Sequence, residues 1–177
     1  INTSTSKITA IFKKDHAANA PVNAIGVFPQ GILSSSTPTE LRLFGDINAD
    51  GTLVYVKYTC DIANGRLLRS ATPITALATA ASAPVTMVSN IVANPGGTPC
   101  FQYAAPTTVK GFTFVSYVAI TMTLKTSTVD PQTKKYVTMT RPVVNVSPRN
   151  VIFGLSLALS GYTSRLQATP RLFSSPG

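Results

Sequence analysis

Leu41–Ser70 reads LRLFGDINADGTLVYVKYTCDIANGRLLRS, and its punctuation decides the fold. Leu41 and Leu43 open an apolar strand that runs into Asp46-Ile47-Asn48-Ala49-Asp50-Gly51. An alternating strand follows, Leu53-Val54-Tyr55-Val56-Lys57-Tyr58. Asn64-Gly65 then supplies residues that tolerate positive φ, as a tight hairpin turn requires. The segment therefore predicts strand, Asp/Gly turn, strand, Asn-Gly turn, strand.

Downstream, Phe112–Thr126 (FTFVSYVAITMTLKT) is the longest strand candidate. Val118, Ile120, Met122 and Leu124 alternate with Ala119, Thr121, Thr123 and Lys125, the pattern of a half-buried antiparallel strand. Asp130-Pro131-Gln132-Thr133 makes a turn, and Tyr136–Thr140 returns as the partner. Pro142 and Pro148 confine the stretch after it to an edge strand or irregular structure. Val85–Val92 fits a short helix or a strand equally, and Asn94-Pro95-Gly96-Gly97 is a loop. Val151–Leu159 (VIFGLSLAL) is too short to span a membrane and reads as a buried or partner-binding strand. Upstream, Ile8, Ile11 and Phe12 have helical spacing within Asn2–Asp15, and Pro21 ends that pattern. The chain starts at Ile1 without Met, which reads as a processed product or a fragment.

Composition narrows the function classes. The chain has 177 residues, enough for one domain with an extension. Only 12% is charged, about half the usual share. Ser and Thr carry much of the polarity, which suits an extracellular β-rich surface. The formal charge of +9 reflects scarce acids, or attraction to nucleic acid, anionic lipid or an acidic partner subunit. Cys60 and Cys100 form no CxxC, and with a single histidine, His16, they cannot complete a four-ligand zinc site. In an exported protein they would form a disulfide; in a cytosolic one they would be two buried thiols.

Asp46, Asn48 and Asp50 before Gly51 match the first half of a calcium loop. The twelfth position, where such a loop places a bidentate acid, is Lys57. Turn chemistry alone also selects these residues. There is no G-x-S-x-G, phosphate-binding Gly-rich loop or H-E-x-x-H, and Glu40 is the sole glutamate, so no enzymatic activity is expected. Lys134, Lys135, Arg141 and Arg149 are candidates for a DNA-tracking surface if they share a face with tyrosines such as Tyr136; otherwise they are ordinary strand-surface charge.

Three blocks resemble PilW-like minor pilins and J-type pseudopilins of type IV pilus and type II secretion systems. The first is Leu43–Gly51 followed by Val54-Tyr55-Val56-Lys57-Tyr58 and Leu67-Leu68-Arg69-Ser70, similar to the family's "D-x-N-x-D-G … v-x-Y … L-x-R" hairpin. The second is Met87-Val88-Ser89-Asn90-Ile91-Val92 leading into Phe101-Gln102-Tyr103. The third is Val118–Lys125 with Pro148-Arg149-Asn150-Val151, similar to a "V-x-I-x-L … R-N" ending. The family's hydrophobic N-terminal helix, with Phe first and a Glu near its start, is missing here.

The resemblance implies an α+β fold. The distal end of a pilin-type helix (1–20) packs on an antiparallel sheet within a β-rich domain (21–150); Val151–Gly177 departs from the family by continuing past its Arg-Asn ending, and is expected to be an extended segment that contacts a partner. The resemblance implies a structural filament subunit outside the cell or in the periplasm. Its partners would be other pilin or pseudopilin subunits, with the helix trimmed or carried on a separate short chain, and membrane contact only through that helix. Val151, Ile152, Phe153, Leu155 and Leu157 are then the expected partner contacts. A secreted DNA receptor or adhesin is the alternative. Neither reading requires a cofactor, calcium at Asp46, Asn48 and Asp50 aside.

Overall fold

The computed structural model describes residues 31–50, 52–74, 81–167 and 169. Strands β1 (Glu40–Gly45), β2 (Val54–Asp61), β3 (Arg66–Pro73) and β4 (Val85–Ser89) form one antiparallel sheet in that order. The β2–β3 turn falls at Asn64-Gly65 as the sequence predicts, but as a four-residue connection (62–65) between Asp61 and Arg66 in which Gly65 alone of the pair takes positive φ, 63°. The β1 edge is covered, because Leu33 N–H donates to the Arg42 carbonyl (2.9 Å) and Phe44 N–H to that of Gly31 (2.8 Å).

Asn90, at φ 63°, carries the chain from this sheet into a second one. There β9 (Val118–Lys125) pairs with β10 (Thr138–Val146) on one side. On its other side lie β5 (Ile91–Val92) and β6 (Phe101–Tyr103). Hydrogen bonds on either side of Asn90 tie the sheets together. Ile91 N–H donates to the Gly65 carbonyl (3.1 Å) and Lys125 N–H to that of Asn90 (2.9 Å). Side chains from both sheets, among them Leu41, Leu67, Ile91, Phe101 and Val118, fill the main core. The Asn94 amide is buried there with its hydrogen bonds met by the Thr98 and Thr121 carbonyls and the Thr123 hydroxyl, as a buried amide requires.

A hairpin of β7 (Thr107–Val109) and β8 (Phe112–Phe114) precedes β9, and the helix α1 (Arg149–Leu159) packs over it. Val151, Ala158 and Leu166 enclose Phe114, and none of the four is more than 8% exposed. Gly31 also belongs to this contact, since a Cβ there would collide with the Val151 side chain.

Several expectations are corrected. The fold is mostly antiparallel β-sheet, not α+β with an N-terminal helix end against the sheet. The α-helix among the described residues is α1, near the opposite end of the chain. The expected helix in Asn2–Asp15, the span 1–20 and His16 lie outside the described residues, as do 168 and 170–177 of the expected extended segment 151–177. Val151–Leu159 is helix rather than strand, because Val151, Gly154, Leu155 and Ala158 fall on one side at 3.6-residue spacing and have Phe114 to pack against. Phe112–Thr126 is two strands, since Val115–Tyr117 leaves the ladder between β8 and β9. Val85–Val92 resolves into strands β4 and β5. The Tyr136–Thr140 partner strand extends to Val146 as an edge strand, and the register shift between Arg141 and Val144 accommodates Pro142.

Candidate functional site

Helix α1 divides the expected partner residues by the geometry of the helix. Val151 is fully buried, and Leu155 and Leu157 are half-buried against the Phe114 cluster. Ile152 and Phe153 project outward, 42% and 54% exposed. They are joined by Leu159 and Tyr162, which are 68% and 63% exposed. These last two escaped the strand reading, although the helical spacing of Ile152 and Leu159, seven apart, carries the signal.

The ends of this surface are defined. Pro148 precedes α1 and offers no side-chain cap, and the first helical residue is Arg149. At the other end Gly161, at φ 82°, turns the chain so that Tyr162 N–H donates to the Leu157 carbonyl (2.9 Å). The short 3-10 turn Thr163–Arg165 follows, anchored by Leu166 beneath α1. Arg149 and Arg165 are both exposed. Among the described residues, neither has a carboxylate within salt-bridge distance.

The acids of the first sheet are paired locally. The Glu40 carboxylate accepts from Arg42, with Nε 3.1 Å from Oε2, and lies 3.5 Å from Lys57 Nζ. The Arg42 hydrogen bond, reinforced by Lys57, holds the Glu40 pKa below its ordinary value despite partial burial. Asp61 Oδ2 sits 3.2 Å from Arg66, and Asn64 binds both Asp61 oxygens. Burial pushes the Tyr103 phenol up to about 12, and its hydroxyl lies 2.8 Å from the Glu40 carbonyl and 3.1 Å from that of Thr37.

The Asp46 loop satisfies its own backbone. Asp46 Oδ1 accepts from the Asn48 and Asp50 N–H groups, both at 3.2 Å, and Asp50 Oδ1 accepts from Thr52 N–H at 2.7 Å. Among the described residues no group of three or more His, Cys, Asp and Glu side chains could hold a metal ion. Cys60 and Cys100 are joined by a disulfide with Cα atoms 6.5 Å apart, linking β2 to the approach to β6.

The candidate DNA residues do not converge. Lys134 and Lys135 lie in the β9–β10 turn, Arg141 at the β10 irregularity and Arg149 on α1. Strand β10 alone separates the turn from α1 by about 30 Å. Lys125 Nζ lies 5.1 Å from the Tyr136 ring centroid, a cation–π pair at the hairpin end. Lys125 and Arg66 also line a cleft of about 530 Å³ at the sheet junction. An apolar cleft of about 410 Å³ lies beside Phe101 and Tyr103.

Among the described residues no helix is long and apolar enough to cross a membrane. Comparison with protein-family models, with curated proteins and with solved structures returned no match.

Proposed function

We propose that this chain is a structural subunit of an extracellular filament, of the minor-pilin or pseudopilin kind, and acts by assembly. The observation that supports this most is the outward side of α1: Ile152, Phe153 and Leu159 stay in solvent while Val151, Gly154 and Ala158 on the opposite side of the same helix are buried. Exposed apolar side chains grouped on one ordered element mark protein contacts more often than catalytic sites. The disulfide supports an oxidising location, outside the cell or in the periplasm. The order of the three sequence blocks between Leu43 and Val151 supports the choice of filament class.

Deleting Val151–Gly177 would test assembly poorly, since it removes Val151, Ala158 and Leu166 from around Phe114. The test is Ile152→Ser with Phe153→Ser, followed by fractionation of source cells into filament, envelope and medium. The filament reading expects the native chain in the filament fraction and the variant outside it, with an unchanged thermal midpoint. A native chain that is monomeric in the medium would overturn it.

A secreted binding module is the second reading. It is favoured by the charge of residues 62–177, whose sole acidic residue is Asp130. DNA binding by that surface would weaken steeply with salt.

A further inference from the structure

The outward face of α1 carries cations that have no carboxylate beside them among the described residues, and the described acids are engaged elsewhere. Residues 62–177 contain ten Lys and Arg but a single acid, Asp130. Asp130 Oδ1 is occupied by its own turn, accepting from the N–H groups of Gln132 and Thr133 and from the Thr133 hydroxyl. Glu40 and Asp61 are held by Arg42, Lys57 and Arg66 in the other sheet. Asp46 and Asp50 close the β1–β2 loop. Arg149 and Arg165 are therefore exposed near the apolar residues of α1 in the chain, with no carboxylate within salt-bridge distance among the described residues. Arg149 also stands in the first turn of α1, where the partial positive charge of the uncapped helix end opposes a cation.

We infer that this face of α1 docks an acidic segment of a different protein: apolar side chains meet Ile152, Phe153 and Leu159, and flanking Asp or Glu carboxylates meet Arg149 and Arg165. The inference rests on the filament reading and names the kind of partner for the same surface. Charge selects the occupant. A second copy of this chain brings the same cations and a net charge of +9 to the contact, so like charges oppose that pairing. A nucleic-acid backbone is matched by cations along its length, whereas this face combines two exposed arginines with three large exposed apolar side chains. An anionic membrane accepts apolar groups and cations together. However, the same face carries Asn150, Ser156 and Ser160, whose polar groups call for directional hydrogen-bond partners of the kind a protein surface provides. Arginine, rather than lysine, at both ends suits paired hydrogen bonds to a carboxylate.

The experiment places a photo-crosslinking phenylalanine analogue at Phe153 of the full chain in its source cells. After irradiation, the crosslinked species is identified and its joined segment sequenced by mass spectrometry. The inference expects one different protein, joined through a segment rich in Asp or Glu. It also expects about tenfold less product when Arg149→Glu and Arg165→Glu are introduced together. Circular dichroism of the purified double variant must match the native chain; if it does not, Arg149→Gln is used and must still lower the yield several-fold. Crosslinks to a second copy, to lipid or to nucleic acid overturn the inference. So does a partner segment without acids, an unchanged yield in the charge variants, or no crosslink at all. Fractionation of the same cells separates the two readings: a chain that remains in filaments without the acidic crosslink refutes this inference alone, and absence from filaments refutes the filament reading.

Discussion

The first sheet and the α1 module solve the same problem in opposite ways. In β1–β3 each described acid has a local use, against Arg42, Lys57 and Arg66 or in closing a turn, and the covered β1 edge leaves little unsatisfied. In α1 and the turn after it, cations stand without carboxylates among the described residues, and large apolar side chains face water. The first region has the properties of a scaffold that is complete by itself. The second has a finished inner face and an unfinished outer one. The contrast teaches that burial within a single helix separates residues that serve folding from residues left for association.

The inner face should give the largest effect. Phe114 is fully buried under Val151 and Ala158, so Phe114→Ala should cost about 3–5 kcal/mol, measured by urea unfolding. A loss below about 1 kcal/mol would mean that α1 is not packed as described, and the contrast between its faces would disappear. Next comes the staple between the sheets. The disulfide closes a sequence separation of 40 residues, so replacing Cys60 and Cys100 by Ala should lower stability by about 2–4 kcal/mol. Equal thermal midpoints under oxidising and reducing conditions would show that the bond does not contribute. Gly31→Ala should follow at about 1–3 kcal/mol, because the new methyl group must displace the Val151 side chain.

These sites also mark what the sequence made legible. The hairpins of Leu41–Ser70 were readable because their information is local: the strands alternate, and Asn64-Gly65 suits a turn in which Gly65 takes φ 63°. The edge character of β10 was readable from Pro142, which cannot donate to a ladder. The helix was not, because VIFGLSLAL is apolar at nearly every position and its period shows only once Phe114 defines an inward side. The division of labour between Val151 and Phe153 follows from that same contact. Gly31 was silent for a related reason, since its requirement comes from a residue 120 positions away. The Asp46 loop was legible as turn chemistry, and its hydrogen bonds are those a turn needs.

A pH titration sharpens the scaffold side with a smaller effect. The Glu40 pKa is depressed in the folded chain, so its contribution to stability is present above the ordinary glutamate pKa of about 4. That contribution is lost as the pH falls through the folded value. The thermal midpoint of the native chain should therefore drop more on acidification than that of Glu40→Gln, whose neutral amide does not titrate. Parallel pH profiles for the two proteins would mean that the Arg42 and Lys57 contacts contribute nothing to stability.

The smallest stability change belongs to the outer face of α1, and it decides how the comparison is read. Phe153 and Ile152 are about half exposed, and Ser in their place removes no side chain from the Phe114 cluster. Helix propensity falls only slightly, so the folded state should change by less than about 1 kcal/mol. A core position responds to truncation whether or not a partner is present. An interface position is nearly indifferent in the isolated chain and responds only in the assembly, because the water it would have shed is still there in the monomer. Denaturant unfolding of Ile152→Ser with Phe153→Ser should therefore overlay the native curve, while incorporation into the filament fraction falls sharply. If the isolated variant unfolds as readily as Phe114→Ala, both faces of α1 serve folding. The exposed row would then be part of the scaffold, and the chain would need another surface through which to assemble.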